Sequence, residues 1–194
     1  IENDDTAVLS IESASSVTEG DSVDSNTGQL VVTLSNPVDE NVTYTFTTVQ
    51  TAGGATEVAD FAITNEGNVL PNDGTVVTFS NAAGDELTKT INVPIVGDDV
   101  VELDESFDVT ISTPATDASV QDNVTAGNQT GTITITNDDS ATITIDDVRV
   151  DEELGTATLT VTLTEEVDTV VTVDAATADG TATAGGGANH CASQ

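Results

Sequence analysis

Asp98, Asp99, Glu102, Asp104 and Glu105 fall within eight residues of one another in the stretch Gly97–Phe107, and no Lys or Arg stands near them. Ile91, Val93 and Ile95 precede this stretch with period two, and Phe107, Val109 and Ile111 follow it with the same period. Such alternation predicts two half-buried strands with the acids on the tight loop between them. Two carboxylates about 4 Å apart repel by roughly 4 kcal/mol at an effective dielectric of 20, so the loop calls for a cation among its side chains. Calcium, which takes 6 to 8 oxygen ligands, is the candidate. A solvated acidic turn is the other reading, and the loop by itself does not decide between them.

The rest of the composition bounds the chemistry. In 194 residues there are 35 Asp and Glu against Lys89 and Arg149, a formal charge of −33. Nucleic acid is excluded as a partner, because phosphates are bound by Lys and Arg, and anionic membrane surfaces are excluded on the same ground. Metal cations or a salt-rich habitat remain compatible with this charge. Without Trp or Met, and with 3% aromatics, core volume must come from Val, Ile, Leu and Ala, which with abundant Thr favours strands. The lone Cys191 rules out an internal disulfide framework, and no run approaches the 18 apolar residues of a membrane span. The chain opens on Ile1 without an initiator Met, and the expectation is a mature product or a segment of a longer protein.

The elements that must position the acids read as short alternating strands. They run through Ala7, Leu9, Ile11, then Leu30, Val32, Leu34, then Val42, Tyr44, Phe46, then Val77 and Phe79, then the pair flanking the acidic loop, and finally Ile133 and Ile135. Residues 50–73 are the least periodic region, and Thr113–Asn128 reads as a polar loop. About seven short strands without helical period predict an all-β, immunoglobulin-like antiparallel sandwich, with Thr rows facing water.

The pattern then restarts. Asn137-Asp138-Asp139 repeats Asn3-Asp4-Asp5 at an offset of 134, and Ala141, Ile143, Ile145 match Ala7, Leu9, Ile11. Val150-Asp151-Glu152 matches Val17-Thr18-Glu19, Leu159–Leu163 matches Leu30–Leu34, and Val171-Thr172-Val173 matches Val42-Thr43-Tyr44. Ordered matches of this kind define an internal repeat. The division is 1–5 as the tail of a preceding repeat, 6–139 as one complete sandwich, and 140–194 as the N-terminal half of a second, incomplete copy.

Four features together resemble the Calx-β family of sandwich repeats. They are Val17-Thr18-Glu19-Gly20-Asp21, the acidic loop through Phe107, the Asn-Asp-Asp closing each copy, and Thr177-Ala178-Asp179-Gly180-Thr181-Ala182. The resemblance implies calcium at one end of the sandwich, held by Glu19, Asp98, Asp99, Glu102, Glu105, Asp138 and Asp139. It implies Glu152 and Asp179 as the partial set of the second copy. The first copy departs from the pattern, because Gly53-Gly54 stands where the Asp of the Asp-Gly turn belongs, which implies fewer or weaker ions. Asp60-Phe61 matches the family's later Asp-aromatic pair. Because Asp138 and Asp139 join the two copies, an ion shared there would stiffen the junction.

Catalysis is not expected. His190 and Cys191 adjoin each other in a tail-like segment, without the third group that would orient a nucleophile and its base. A glycosidase-type acid pair would need an aromatic-lined cleft, for which four Phe and one Tyr are too few. The expectation is a calcium-binding repeat of a large extracellular adhesin or matrix protein, secreted or at the cell surface. Its partners would be neighbouring repeats and a protein or glycan receptor. One alternative is a homo-polymeric fibre built by strand donation at the open edge of the half-sandwich. The other is a salt-adapted acidic spacer, favoured by acids outside the loop such as Asp21, Asp24, Asp39, Glu40, Glu165 and Glu166. Asn41, Asn123 and Asn128 head Asn-x-Thr sequons.

Overall fold

A computed structural model describes residues 6–21, 26–38, 41–51, 60–61, 76–80, 86–115 and 124–181. Two four-stranded sheets face each other. The first is ordered β7 (Thr88–Pro94), β3 (Thr27–Leu34), β1 (Ala7–Ile11), β9 (Val124–Ala126). The second is ordered β2 (Ala14–Thr18), β10 (Thr130–Thr136), β8 (Glu105–Ile111), β5 (Phe46–Gln50). A smaller pair, β4 (Val42–Tyr44) with β6 (Val77–Phe79), completes the first copy.

Period-two burial is the reason these segments are strands. In β1, β3, β8 and β10 every second side chain enters one core, among them Leu9, Leu30, Val32, Val109 and Ile133, each at most 1% exposed. The intervening Thr and Ser remain on the wet faces, as alternation dictates. Phe61 and Phe107 stack at 4.0 Å between ring centroids and are wholly buried, so the scarce aromatics are spent at the centre.

Three local features depart from the sequence reading. The segment Ala14–Thr18, which carries only Val17 as a sizeable apolar residue, is a strand (β2). It pairs parallel with β10, Val17 opposite Ile135, after the chain crosses from β1 in the other sheet. Backbone pairing at a sheet edge needs no apolar side chain, and hydropathy alone does not reveal it. Likewise β9 lies inside the expected polar loop and pairs parallel with β1. The run Val42–Phe46 is two strands rather than one. It breaks at Thr45, whose N–H donates to Ser112 Oγ at 3.0 Å while its carbonyl accepts the Ser112 N–H at 2.8 Å, and the chain thereby changes sheets. Asn128, head of one sequon, donates its amide to Ile11 O at 2.9 Å and Thr130 O at 2.8 Å.

The second copy is thinner. Its described residues form β11 (Ile143–Ile145) paired antiparallel with β12 (Val161–Leu163), and a 3-10 turn at Glu152–Leu154. Ile143, Ile145, Leu159, Val161 and Leu163, the residues that repeat the first copy's core pattern, are exposed.

Candidate cation site

The acids converge because four strand ends meet at one pole. β2 and β10 run parallel, so the turn after β2 and the exit from β10 lie side by side. Glu19 N–H donates to Thr136 O at 2.9 Å, extending that pairing by one residue. Gly20 then turns the chain with φ of 85°, a left-handed conformation that glycine adopts without steric cost. Its N–H donates to Asp138 Oδ1 at 3.0 Å, tying the first loop to the exit segment. A Cβ on Gly97 would stand 2.0 Å from the Gly20 carbonyl oxygen, so the acidic loop leaves β7 in direct backbone contact with the first loop. The two loops can be this close only with glycine at 97.

Within the acidic loop, Asp98 Oδ1 accepts the Val100 N–H at 2.8 Å, the side-chain-to-backbone bond that closes an Asx turn. Asn137 locks this loop to the exit of β10. Its Oδ1 accepts from Glu102 N at 3.3 Å, its own N–H donates to Asp104 Oδ1 at 3.2 Å, and its amide donates to Asp139 O at 3.1 Å. Asp60 comes in beside Val96, whose N–H donates to Asp60 O at 3.1 Å, while Phe61 bridges Ile95.

Two adjoining groups of carboxylates result. In the outer group, one oxygen each from Asp21, Asp99 and Asp139 lie within 4.8 Å of one another, with Asp138 acting on Asp139 from beside it. The inner group, linked by electrostatic influence rather than by close approach, comprises Glu19, Asp60, Asp98, Glu102 and Glu105, and no three of these bring ligand atoms within 4.8 Å of one another. Burial pushes Glu19 up to about 7, reinforced by Glu102, Asp98, Asp139 and Asp60. Burial also pushes Glu102 up to about 7, with Asp60, Asp98, Glu105 and Asp168 adding to it. Glu105 and Asp139 are raised too, burial leading in each. Among the described residues, every charge that acts on these four is another carboxylate. The only lysine, Lys89, sits over the Phe79 ring at 5.9 Å, at the start of β7 rather than at its acidic end.

Glu19 is the telling residue. It is 3% exposed, the one buried charged side chain of the described core, and no described residue donates a hydrogen bond to its carboxylate. Asp139 Oδ2 is a buried oxygen without a partner, as is the Tyr44 hydroxyl in the core. Native interiors rarely leave such groups unsatisfied, because desolvation alone costs about 1–3 kcal/mol and more for a charge. A hard cation answers this donor set, which is carboxylate oxygen throughout.

The structure thus gathers Glu19, Asp98, Asp99, Glu102, Glu105, Asp138 and Asp139 at one pole. It adds three residues missing from that set: Asp21, Asp60 and Asp168. Asp21, read from the sequence as one of the dispersed surface acids, belongs instead to the outer group, two residues past Glu19 across the Gly20 turn. Asp60 had a signal in its pairing with Phe61. Asp168 had none, because its approach depends on how the second copy sits. In that copy, Asp179 is exposed and enters no group of three acids among the described residues, and Glu152 lies in the 3-10 turn. Gly53-Gly54 and the His190-Cys191 pair lie outside the described residues.

Gly97→Ala tests the loop contact directly. Pushing the loops apart should cost roughly 1–3 kcal/mol, as overpacking does. It should also weaken cation binding, because Glu19 and Asp98 separate. Chemical denaturation and a cation titration of the variant check both, and wild-type values in the two would refute the contact.

A sandwich repeat whose strand ends collect carboxylates at one pole is the class that fold and site define. The Calx-beta domain model matches residues 2–139 and again 136–190. The chain therefore belongs to the Calx-beta family, as two successive copies. None of the curated proteins compared with it matches. Among solved structures, the apo-form Calx CBD1 domain is 18% identical with a TM-score of 0.51, over 70% of this chain and 100% of that one. CBD12 from CALX1.2 is 17% identical with a TM-score of 0.49, over 72% of this chain and 48% of that one. The calcium binding domain CBD12 of CALX1.1 is 20% identical with a TM-score of 0.46, over 70% and 49%. The chain spans about half the length of the two CBD12 structures. The first of these likenesses supports the sandwich fold.

Proposed function

We propose that the chain is a calcium-binding structural repeat of a large extracellular adhesin or matrix protein, in which the ion stiffens the junction between successive copies. The observation that carries this reading is Glu19, buried at 3% exposure among carboxylates from three other segments, with no donor to its carboxylate among the described residues. Asp21, Asp99 and Asp139 would hold the ion, and Glu19, Asp98, Glu102 and Asp60 beside them add negative charge to the same pole. When bound, calcium supplies charge that the protein's own side chains do not. Calcium is favoured over magnesium because crowded, flexible carboxylates suit 6–8 ligands, whereas magnesium keeps its waters and demands an octahedron. The surface or secreted setting is part of this proposal, and it predicts a calcium affinity of about 10⁻⁴–10⁻³ M, the range of extracellular modules. No catalytic role is proposed.

Titration calorimetry of metal-stripped protein tests the reading. Calcium should bind saturably with at least one ion per chain, and magnesium much more weakly. Heats no larger than dilution would leave a salt-adapted acidic spacer in its place.

A further inference from the structure

The chain offers two side chains that a base-directed endopeptidase can read, Lys89 and Arg149, and the fold treats them in opposite ways. Such an enzyme holds a carboxylate at the base of its specificity pocket and works on exposed backbone that is free of strand or helix. Lys89 lies in β7, which is paired with β3 from Thr88 to Pro94, and its Nζ sits over the Phe79 ring at 5.9 Å. Reaching the bond after Lys89 means stripping β7 from its sheet and drawing Ile91 and Val93 out of the core.

Arg149 lies on the connection between β11 and β12. Two hydrogen bonds close that connection at its base. Asp146 N–H donates to Thr160 O at 3.1 Å, and Thr160 N–H donates to Asp146 Oδ1 at 2.6 Å. Further on, Leu154 N–H donates to Asp151 O at 3.0 Å in the 3-10 turn, and Gly155 turns the chain with φ of 72°. Between these anchors run Asp147, Val148, Arg149 and Val150. All four are exposed, and none of them makes a hydrogen bond among the described residues. We propose that the Arg149–Val150 peptide bond is a processing site for an arginine-directed endopeptidase, and the one point at which such an enzyme divides the folded chain. In the hydrolysis, water adds its hydroxyl to the Arg149 carbonyl carbon, the C–N bond breaks, and Val150 takes the proton as a free amine. The first product, 1–149, keeps β1 through β10 intact together with β11, and β12 leaves with the second. A pair of three-residue strands is marginal in water, so β11–β12 and the bridge of Val167 to Val101 do not hold the products together. Asp146, Asp147, Asp151, Glu152 and Glu153 flank the bond, so the enzyme that suits it combines an acidic specificity pocket with basic flanking subsites.

Trypsin is the probe. Its rate on the folded 194-residue chain is compared with its rate on peptides of residues 143–156 and 84–95, which carry the same flanking charges without the fold. Cleavage after Arg149 should run within about tenfold of its peptide, because opening a loop costs little. Cleavage after Lys89 should fall at least about 1,000-fold below its peptide, because it waits on unfolding. Intact masses should show 1–149 and 150–194 alone, separating on gel filtration, and Arg149→Gln should leave the folded chain whole. Suppression at Arg149 as deep as at Lys89, or a first cut after Lys89, overturns the proposal. Division of the folded Arg149→Gln chain overturns it as well, and products that co-elute overturn the separation.

Discussion

Lowering the pH from about 8 to about 5 raises the melting temperature of the cation-free protein and lowers that of the calcium-saturated protein. Glu19 and Glu102 stand at about 7 in the fold against an ordinary value of 4.5, burial being the first cause in both. A carboxylate raised by folding adds stability that is complete below the unfolded value and lost as the pH climbs through the folded one. For the cation-free protein the gain therefore accrues from about pH 7 down to about 4.5. It should amount to on the order of 2 kcal/mol, since the two groups share a pocket and the second proton adds less than the first. A bound cation reverses the sign. It holds the same carboxylates ionised, and protons then compete with it as the pH falls. At pH 7.5, calcium at about 100 times its dissociation constant should add about 2.7 kcal/mol, or roughly 10 °C in melting temperature. General relief of the −33 charge also stabilises the cation-free protein on acidification, so a variant must separate the two effects. Glu19→Gln should raise the cation-free melting temperature at pH 8, flatten its pH dependence and abolish the calcium increment. Thermal melts by circular dichroism across this range, with and without calcium, provide the measurement. A cation-free protein that loses stability between pH 8 and pH 5 would sink the account.

The core and the acidic pole were legible in the sequence for different reasons. Strands such as β3, β8 and β10 alternate apolar and Thr residues without interruption, and burial follows the alternation residue by residue. The pole was legible because acids accumulate where those strands end, and because Asn-Asp-Asp recurs with the repeat. What escaped notice is held by backbone or by docking. β2 and β9 are parallel edge pairings whose side chains carry little hydropathy, and the break at Thr45 depends on Ser112, distant in sequence. Asp21 looked like ordinary surface charge because only the Gly20 turn, with its positive φ, swings it toward Asp99 and Asp139. Asp168 belongs to a different copy, and no spacing rule reaches across that joint. Periodicity reports which face is buried, and it is silent on which loops meet.

Phe61→Ala should remove about 3–5 kcal/mol of stability, the usual cost of truncating a buried phenylalanine, from a total of about 5–15 kcal/mol for a domain. The melting temperature would fall by roughly 10–20 °C. Phe61 is 0% exposed and lies flat on Phe107 at 4.0 Å with 16° between the ring planes, so its loss also forfeits the ring contact. The effect on the site is the more specific part. Asp60 is adjacent to Phe61 in the chain, and Glu105 lies two residues before Phe107. The stacked rings thus hold together the two strand ends from which these acids project, and Asp60 and Glu105 share a side-chain hydrogen bond. Without the ring, Asp60 keeps its carbonyl bond to Val96, the backbone bridge of residue 61 to Ile95 and its side-chain bond to Glu105, but loses the packing that fixes them. Calcium affinity should fall along with stability. Phe79→Ala provides the comparison, since Phe79 is equally buried but packs on Tyr44 in the β4–β6 pair, beneath Lys89 and away from the acidic end of β7. It should destabilise to a similar degree and leave calcium affinity unchanged in the folded protein. Titrations of both variants at a temperature where each remains folded decide the matter. Equal affinities in the two would mean that the aromatic stack supports the fold without positioning the acids.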